Sequence, residues 1–204
     1  MIEFLKELTN PQSIINYGGL VLLVFIVFAE TGLLIGFFLP GDSLIFISGM
    51  MCVSKPELLG VNLFVLIVAL SLSAMVGNMA GYWFGYKIGP PLFKREDSVI
   101  FKKRYLELTK DFYEKNGGKT LIMGRFLPII RTFAPIFAGV IKVDFKKFML
   151  YNFIGAFLWI GLLTSIGYFL GTYSWVQNNL TYIVIGLIVI TLIPIVPTLR
   201  KRNK

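Results

Sequence analysis

Residues Gly124–Gly139 read GRFLPIIRTFAPIFAG. Arg125 and Arg131 sit in a run that otherwise belongs in hydrocarbon, with Pro128 between them. On either side the chain turns basic: Lys115 and Lys119 precede the run, and Lys142, Lys146 and Lys147 follow it. Whether residues 120–141 cross a bilayer once, twice or not at all decides the fold.

The rest of the chain sets the terms. Of 204 residues, 56% are hydrophobic and 15% are charged, and the mean hydropathy is +0.75. A soluble domain carries about 25% charged residues, so this chain cannot present a water-facing surface all round. Residues 58–86 and 148–199 contain no Asp, Glu, Lys or Arg. A bilayer span needs about 20 apolar residues, so the second window has room for two. The reading is an all-α polytopic membrane protein with spans at 58–88, 148–171 and 181–199. The mixed charges of MIEFLKELTN argue against a cleaved signal peptide. Cys52 is the single cysteine and there is no histidine. An intrachain disulfide, a histidine base and most zinc sites are therefore excluded. No cofactor or metal is expected. The formal net charge of +9 reports topology and lipid contact, since no folded basic domain is available to hold nucleic acid.

The positive-inside rule places the basic linker 91–118, the cluster 142–147 and the tail 200–204 in the cytoplasm. Residues 119 and 142 then lie on one side. The intervening residues 120–141 are too few for two crossings at about 17 or more each. They must enter and leave by the same face, as a re-entrant hairpin with Pro128 near its tip. The stretch 17–50 has the same character, with Glu30 and Asp42 as its only charges and a Pro40-Gly41 turn signal. Residues 2–15 and Val99–Tyr113 read as interfacial amphipathic segments.

The chain also repeats itself. Phe38-Leu39-Pro40 matches Phe126-Leu127-Pro128, and the stretch from Gly81 to Gly85 (GYWFG) matches that from Gly167 to Gly171 (GYFLG). Gly77, Gly81, Gly85 and Gly89 line one helix face, where another backbone can approach closely. Repeat 1 covers about 1–90 and repeat 2 about 119–171, within one integral membrane domain. A unit with one crossing points its copy the opposite way, so this is an inverted repeat of hairpin plus span, an arrangement found in transporters. Three spans and two hairpins put the N-terminus outside. A full span at 17–37 would put it inside, and the first 16 residues carry too little charge bias to choose.

Four charged residues thus lie in the hairpins: Glu30, Asp42, Arg125 and Arg131. Each costs at least about 2.5 kcal/mol in lipid unless paired or hydrated, and such residues are functional candidates. Guanidinium groups grip phosphate bidentately, and free amides at broken helix ends favour an anion too. The arginines point to a phosphate-bearing ligand at mid-depth, with a lipid tail between the helices. A structural pairing with Glu30 and Asp42 is the plainer alternative. The two carboxyls suit proton binding and release, with ligand phosphate and Glu30 competing for the arginines. Asp42 also suits a helix cap. Asn78, Asn152 and Tyr82 are placed along the route, with ordinary interhelical hydrogen bonds as the simpler reading.

With these residues in view, the chain resembles the DedA family of bacterial inner-membrane proteins, within the SNARE-associated Golgi protein or VTT-domain superfamily. The resemblance is carried by Glu30 with Pro40-Gly41-Asp42, by the glycines from Gly77 to Gly89, and by Gly124 to Pro128 with Arg131-Thr132 and Ala138-Gly139. It implies lipid translocation: recycling of undecaprenyl phosphate across the bacterial plasma membrane, or proton-dependent envelope homeostasis, while eukaryotic relatives scramble phospholipids. It further implies that Glu30 and Asp42 are an acidic pair for proton-dependent function and that Arg125 and Arg131 are an essential basic pair. The expected partners are a phosphate-headed lipid and protons. The rival readings are a proton-coupled antiporter for small cations or drugs, a non-selective scramblase, a lipid phosphatase lacking its usual nucleophile, and a membrane scaffold. In a Cys52→Ser background, single cysteines at 119 and 142 are expected to react with an impermeant reagent from the same side of the membrane. Labelling from opposite sides would remove the hairpin.

Overall fold

A computed structural model describes residues 11–32, 41–88 and 103–179, together with 182, 183 and 186. Pro40, Gly89, residues 2–10 of the expected interfacial segment 2–15, and most of the expected span 181–199 lie outside the described residues. All the described regular elements are helical. They are α1 (Pro11–Gly32), α2 (Gly41–Ser54), α3 (Pro56–Leu59), α4 (Leu63–Ile88), α5 (Lys103–Asn116), α6 (Thr120–Met123), α7 (Pro128–Val140), α8 (Phe145–Leu170) and α9 (Ser174–Asn178).

Two of these helices, α4 and α8, are long and apolar enough to cross a bilayer. Each has 26 residues, or about 39 Å at 1.5 Å per residue, against a hydrocarbon thickness of about 30 Å. They run antiparallel: Asn78 meets Asn152, and nearer one end Tyr82 meets Phe148 with ring centroids 4.5 Å apart. Their outer faces show Phe64, Leu72, Val76, Leu150, Phe153, Leu158 and Phe169 exposed, as a lipid-facing surface requires. Trp83 and Tyr86, with Lys142 over the Tyr86 ring, mark one end. Exposed Tyr173 and Trp175 mark the other, a distribution typical of bilayer interfaces.

The other apolar helices are too short to span. In α1, Gly19 adopts φ 49° and ψ −143°, which a residue with a Cβ strongly disfavours. The kink separates the first turns from the apolar part, Gly18–Gly32. This part runs parallel to α4: the Ser73 hydroxyl donates to the Val24 carbonyl at 2.5 Å, and further along Gly77 faces the Phe28 carbonyl and Gly32. Helix α2 is buried almost throughout, from Gly41 and Ser43 to Met51, and runs parallel to α8. Its start, Asp42, meets Trp159, and its later residue Met50 meets Gly171. The kink of α1 lies beside Leu58, in the short segment that follows α2. Both ends of the α1–α2 pair therefore lie at the end of the molecule where α4 begins.

The second pair has its outer ends at the other end of the molecule. After a 3-10 turn over Gly117–Lys119, α6 continues into a second 3-10 turn at Gly124–Phe126. Leu127 then becomes extended (φ −121°, ψ 105°), and Pro128 opens α7. The break falls where the sequence placed it, because proline drives its predecessor from the helical region and itself suits the first helical turn. Helix α7 runs parallel to α4, with Pro135 near Gly81 and Gly139 against Tyr82 and Tyr86. The outer ends of this pair lie beside Tyr151 and the end of α4: Gly118 packs on the Tyr151 ring, and the Tyr82 hydroxyl donates to the Val143 carbonyl at 2.6 Å. The amphipathic helix covers this side over Lys103–Asn116, ending beyond the expected Tyr113; residues 99–102 of the expected segment lie outside the described residues. Its Tyr113 ring lies 5.7 Å from that of Phe137. Asp144 caps α8 by accepting from the Lys147 backbone N–H.

Glycine sets the packing between the pairs. A Cβ on Gly85 would strike the Ile136 carbonyl, and one on Gly139 the Tyr82 carbonyl. Reciprocally, a Cβ on Gly167 would strike the Phe46 carbonyl, and one on Gly49 the Thr164 carbonyl. Each long helix thus grips the second short helix of the other half, a pattern consistent with a repeat topology. The structural register differs from the sequence match. Gly85, not Gly81, is the counterpart of Gly167, one turn away. Glycines spaced every four residues match themselves after a slide of one turn, so the motif alone cannot fix the register. Adding a methyl at Gly139 is expected to destabilise the protein by about 1–3 kcal/mol through overpacking. Gly161→Ala, where nothing lies within 4 Å, is expected to be neutral or stabilising by up to about 1 kcal/mol. Thermal unfolding in detergent compares the two.

Candidate functional site

The breaks in the two helix pairs meet inside the bundle. Arg131, in the first turn of α7, reaches both acids of the other half. Its Nη2 lies 2.5 Å from Glu30 Oε1 and its Nη1 lies 2.5 Å from Asp42 Oδ1. All three side chains are shielded, with exposures of 10% for Arg131, 5% for Glu30 and 16% for Asp42. A planar guanidinium can hold two carboxylates in this way, whereas a lysine could act only as a point charge. The same Asp42 oxygen also accepts from the Trp159 indole N–H at 3.0 Å.

Local sequence makes these approaches possible. A Cβ on Gly41 would occupy the position of the Glu30 Oε2 atom, so the glycine beside the break is a seat for the carboxylate. Asp42 stands in the first turn of α2, where a negative charge also suits the helix dipole. Pro135 lies inside α7 and lacks the N–H that would bond the Arg131 carbonyl four residues back.

Arg125 occupies a different environment. It is 3% exposed, and among the described residues no carboxylate lies within ion-pairing distance. Its Nη2 donates to Asn152 Oδ1 at 3.0 Å. The Asn152 nitrogen donates to the Met75 carbonyl at 3.1 Å. With the Asn78 oxygen turned toward Arg125 Nη2, 2.8 Å away, the Asn78 nitrogen reaches the Thr31 carbonyl at 3.2 Å. Among the described residues the Arg125 Nε has no hydrogen-bond partner. Gly155 makes room for this side chain, since a Cβ there would lie 3.0 Å from Nε and from the Leu121 carbonyl. The result is a buried cation held by neutral amides, with an unused donor.

The structure therefore brings Glu30, Asp42 and Arg131 into one ion-paired cluster and sets Arg125 beside Asn78 and Asn152. Tyr82 lies apart, in an aromatic cluster with Tyr86, Phe145 and Phe148. Pro128 begins α7, Gly41 begins α2, and Gly77, Gly85, Gly167 and Gly171 stand where a Cβ would clash with a neighbouring helix, whereas a Cβ at Gly81 would make only ordinary contacts with Pro135 and Ile136. Sequence reasoning missed Trp159, Gly155 and Gly49. A signal was present for two of them: Asn152, Gly155 and Trp159 stand at i, i+3 and i+7, one face of α8. Among the described residues no group of three His, Cys, Asp or Glu could hold a metal.

Comparison with known proteins bears on this arrangement. The VTT domain family matches residues 39–169. The chain is 43% identical over 198 residues to Protein DedA of Escherichia coli strain K12, covering 95% of this chain and 90% of that protein. It is 36% identical over 185 residues to an uncharacterised membrane protein of Mycobacterium leprae, covering 91% and 81%. It is 31% identical over 167 residues to the inner membrane protein YqjA of Escherichia coli, covering 81% and 73%. No solved structure matches the chain.

Gly41→Ala is expected to push Glu30 off Arg131 and to cost about 1–3 kcal/mol. Once Glu30 is already truncated, the same change is expected to cost much less, because the two share one contact. Thermal unfolding of Gly41→Ala, Glu30→Ala and the double variant measures this. Strictly additive losses would remove the proposed seat.

Proposed function

The chain belongs to the VTT-domain family of DedA-like multi-pass membrane proteins, and from that premise we propose that it is a transporter for a phosphate-headed lipid. The substrate class we favour is a polyprenyl phosphate of the undecaprenyl type, moved across a bacterial plasma membrane with protons as the coupling ion. Arg125 and Arg131 bind the head group, and Glu30 and Asp42 carry the protons.

The reading takes the two helix pairs as re-entrant hairpins that enter from opposite faces. Several observations support it. The outer ends of each pair lie at the same end of the molecule, the short helices cannot span, and the second arm α2 is buried from lipid. Broken backbone at membrane depth is tolerated only where protein or a polar cavity covers it.

One observation carries the anion site. Arg125 is buried, keeps a donor unused and is held by neutral asparagines. A buried cation without a counterion is costly, and a phosphate oxygen would satisfy it with a charge-assisted hydrogen bond. Arg131 is the second station, occupied here by Glu30 and Asp42. Their partners on α8, Asn152 for Arg125 and Trp159 for Asp42, stand seven residues apart, or about 10 Å along the helix. A head group moving along α8 would leave amide-held Arg125 and reach Arg131 by displacing carboxylates. Protonating Glu30 and Asp42 neutralises the competitors and frees Arg131, which links lipid movement to proton movement. On return, deprotonated acids recapture Arg131 and expel the phosphate. A small-cation antiporter would use the acids similarly but would leave Arg125 without a task.

The test is flux of a polyprenyl phosphate in reconstituted vesicles. Arg125→Ala is expected to lower it about 10–100-fold, the range of one lost charge-assisted bond. Asn152→Asp gives Arg125 an internal counterion and is expected to keep the fold while losing comparable flux. Folded variants with undiminished flux would overturn the assignment.

A further inference from the structure

We propose that Trp159 is a positioning residue of the charged centre: its indole N–H holds the Asp42 carboxylate on Arg131, and its ring closes the centre toward the bilayer together with Phe126. The identity of the ligand rests on the transport reading above. The positioning role rests on geometry alone.

The chain has three tryptophans. Trp83 and Trp175 are exposed near opposite ends of the long helices, where tryptophan ordinarily anchors a membrane protein. Trp159 lies in the middle of α8, where an anchor has no interface to find. An indole N–H at that depth needs a partner, and it has turned inward to Asp42 at 3.0 Å. The acceptor is the same Oδ1 atom that takes the Arg131 Nη1 donor. One carboxylate oxygen is therefore fixed from two sides, by a cation on α7 and by a neutral donor on α8. Asp42 cannot leave Arg131 along this path without disturbing the indole.

The other side of the ring supplies the second half of the argument. Phe126 meets Trp159 edge to face, with centroids 4.9 Å apart and planes at 73°. Phe126 is 51% exposed, while its neighbour Arg125 is 3% exposed. Adjacent residues at the break of the second pair thus face opposite ways, an aromatic ring outward and a cation inward. The Phe126–Trp159 pair stands at the boundary between them. A head group that arrives laterally from the bilayer must part this pair, and one that reaches Arg131 must take Asp42 from Trp159. The hydrogen bond consequently stabilises the closed, ion-paired state, and removing it shifts the population toward the state that accepts an anion.

Two binding measurements test this in detergent, using a polyprenyl phosphate and its alcohol as the phosphate-free control. Trp159→Phe keeps an aromatic ring and removes the donor. One hydrogen bond lost from the closed state predicts affinity for the phosphate lipid about three- to tenfold higher than wild type. A merely structural ring would leave affinity unchanged or lower it, and either result overturns the proposal. In a Trp83→Phe, Trp175→Phe protein, Trp159 is the sole indole. Its emission is expected to shift with the phosphate lipid and not with the alcohol. An equal response to both, or none to the phosphate, overturns the proposal. Because these measurements read binding, a Trp159→Phe protein that binds as wild type while Arg125→Ala abolishes flux removes this inference and leaves the transport reading standing.

Discussion

The double ion pair of Arg131 is the constraint from which the architecture follows. The Arg131 guanidinium is neutralised inside the apolar bundle by two carboxylates, and both come from the opposite half of the chain. The broken ends of the two helix pairs must therefore meet. Meeting requires a gap for the Glu30 carboxylate, which Gly41 leaves, and it requires that short helices be held firmly although neither can span. That support comes from α4 and α8, whose glycines let them approach the backbones of α7 and α2 in reciprocal fashion. In a bilayer, hydrophobic burial does not by itself drive helices together, so such close van der Waals packing and interhelical hydrogen bonding carry the association.

The two arginines divide the work because their surroundings differ. Arg131 faces two carboxylates, and Arg125 faces two asparagine amides. The first holds the halves together and can be released only when something else satisfies the acids. The second has no carboxylate to release and keeps its Nε without a partner among the described residues. A phosphate and a carboxylate are alternative partners for one guanidinium, and a proton decides between them by neutralising the carboxylate. In the transport cycle proposed above, this shared partner is what links lipid movement to proton movement, with no need for a long mechanical linkage.

Much of this was legible in the residues. Length and charge around 120–141 implied a re-entrant hairpin with Pro128 near its tip; the helix break is at Leu127–Pro128, and entry from one face of the membrane is part of the proposed reading. Glu30, Asp42, Arg125 and Arg131 were distinctive because ions are rare in apolar runs. What remained hidden has physical causes. Gly81 and Gly85 repeat at one helical turn, so their match to Gly167 and Gly171 is degenerate and the packing register emerged only from the contacts. Trp159 shares a helix face with Asn152, but its bond to Asp42 stayed hidden, since nothing in a sequence says which way an indole N–H points. Gly155 could have been found by asking which small residue faces the same way as Asn152. The partition of the acids, both to Arg131 and none to Arg125, depends on tertiary placement that spacing does not encode.

The coupling of Arg131 to both acids is open to one direct measurement, the unfolding free energy in detergent of Arg131→Met beside that of the triple variant Arg131→Met, Glu30→Gln, Asp42→Asn. Removing the cation alone strands two buried carboxylates and is expected to cost about 3–5 kcal/mol, whereas neutralising all three removes the stranded charges and recovers most of that loss. A triple variant no more stable than Arg131→Met would contradict the account.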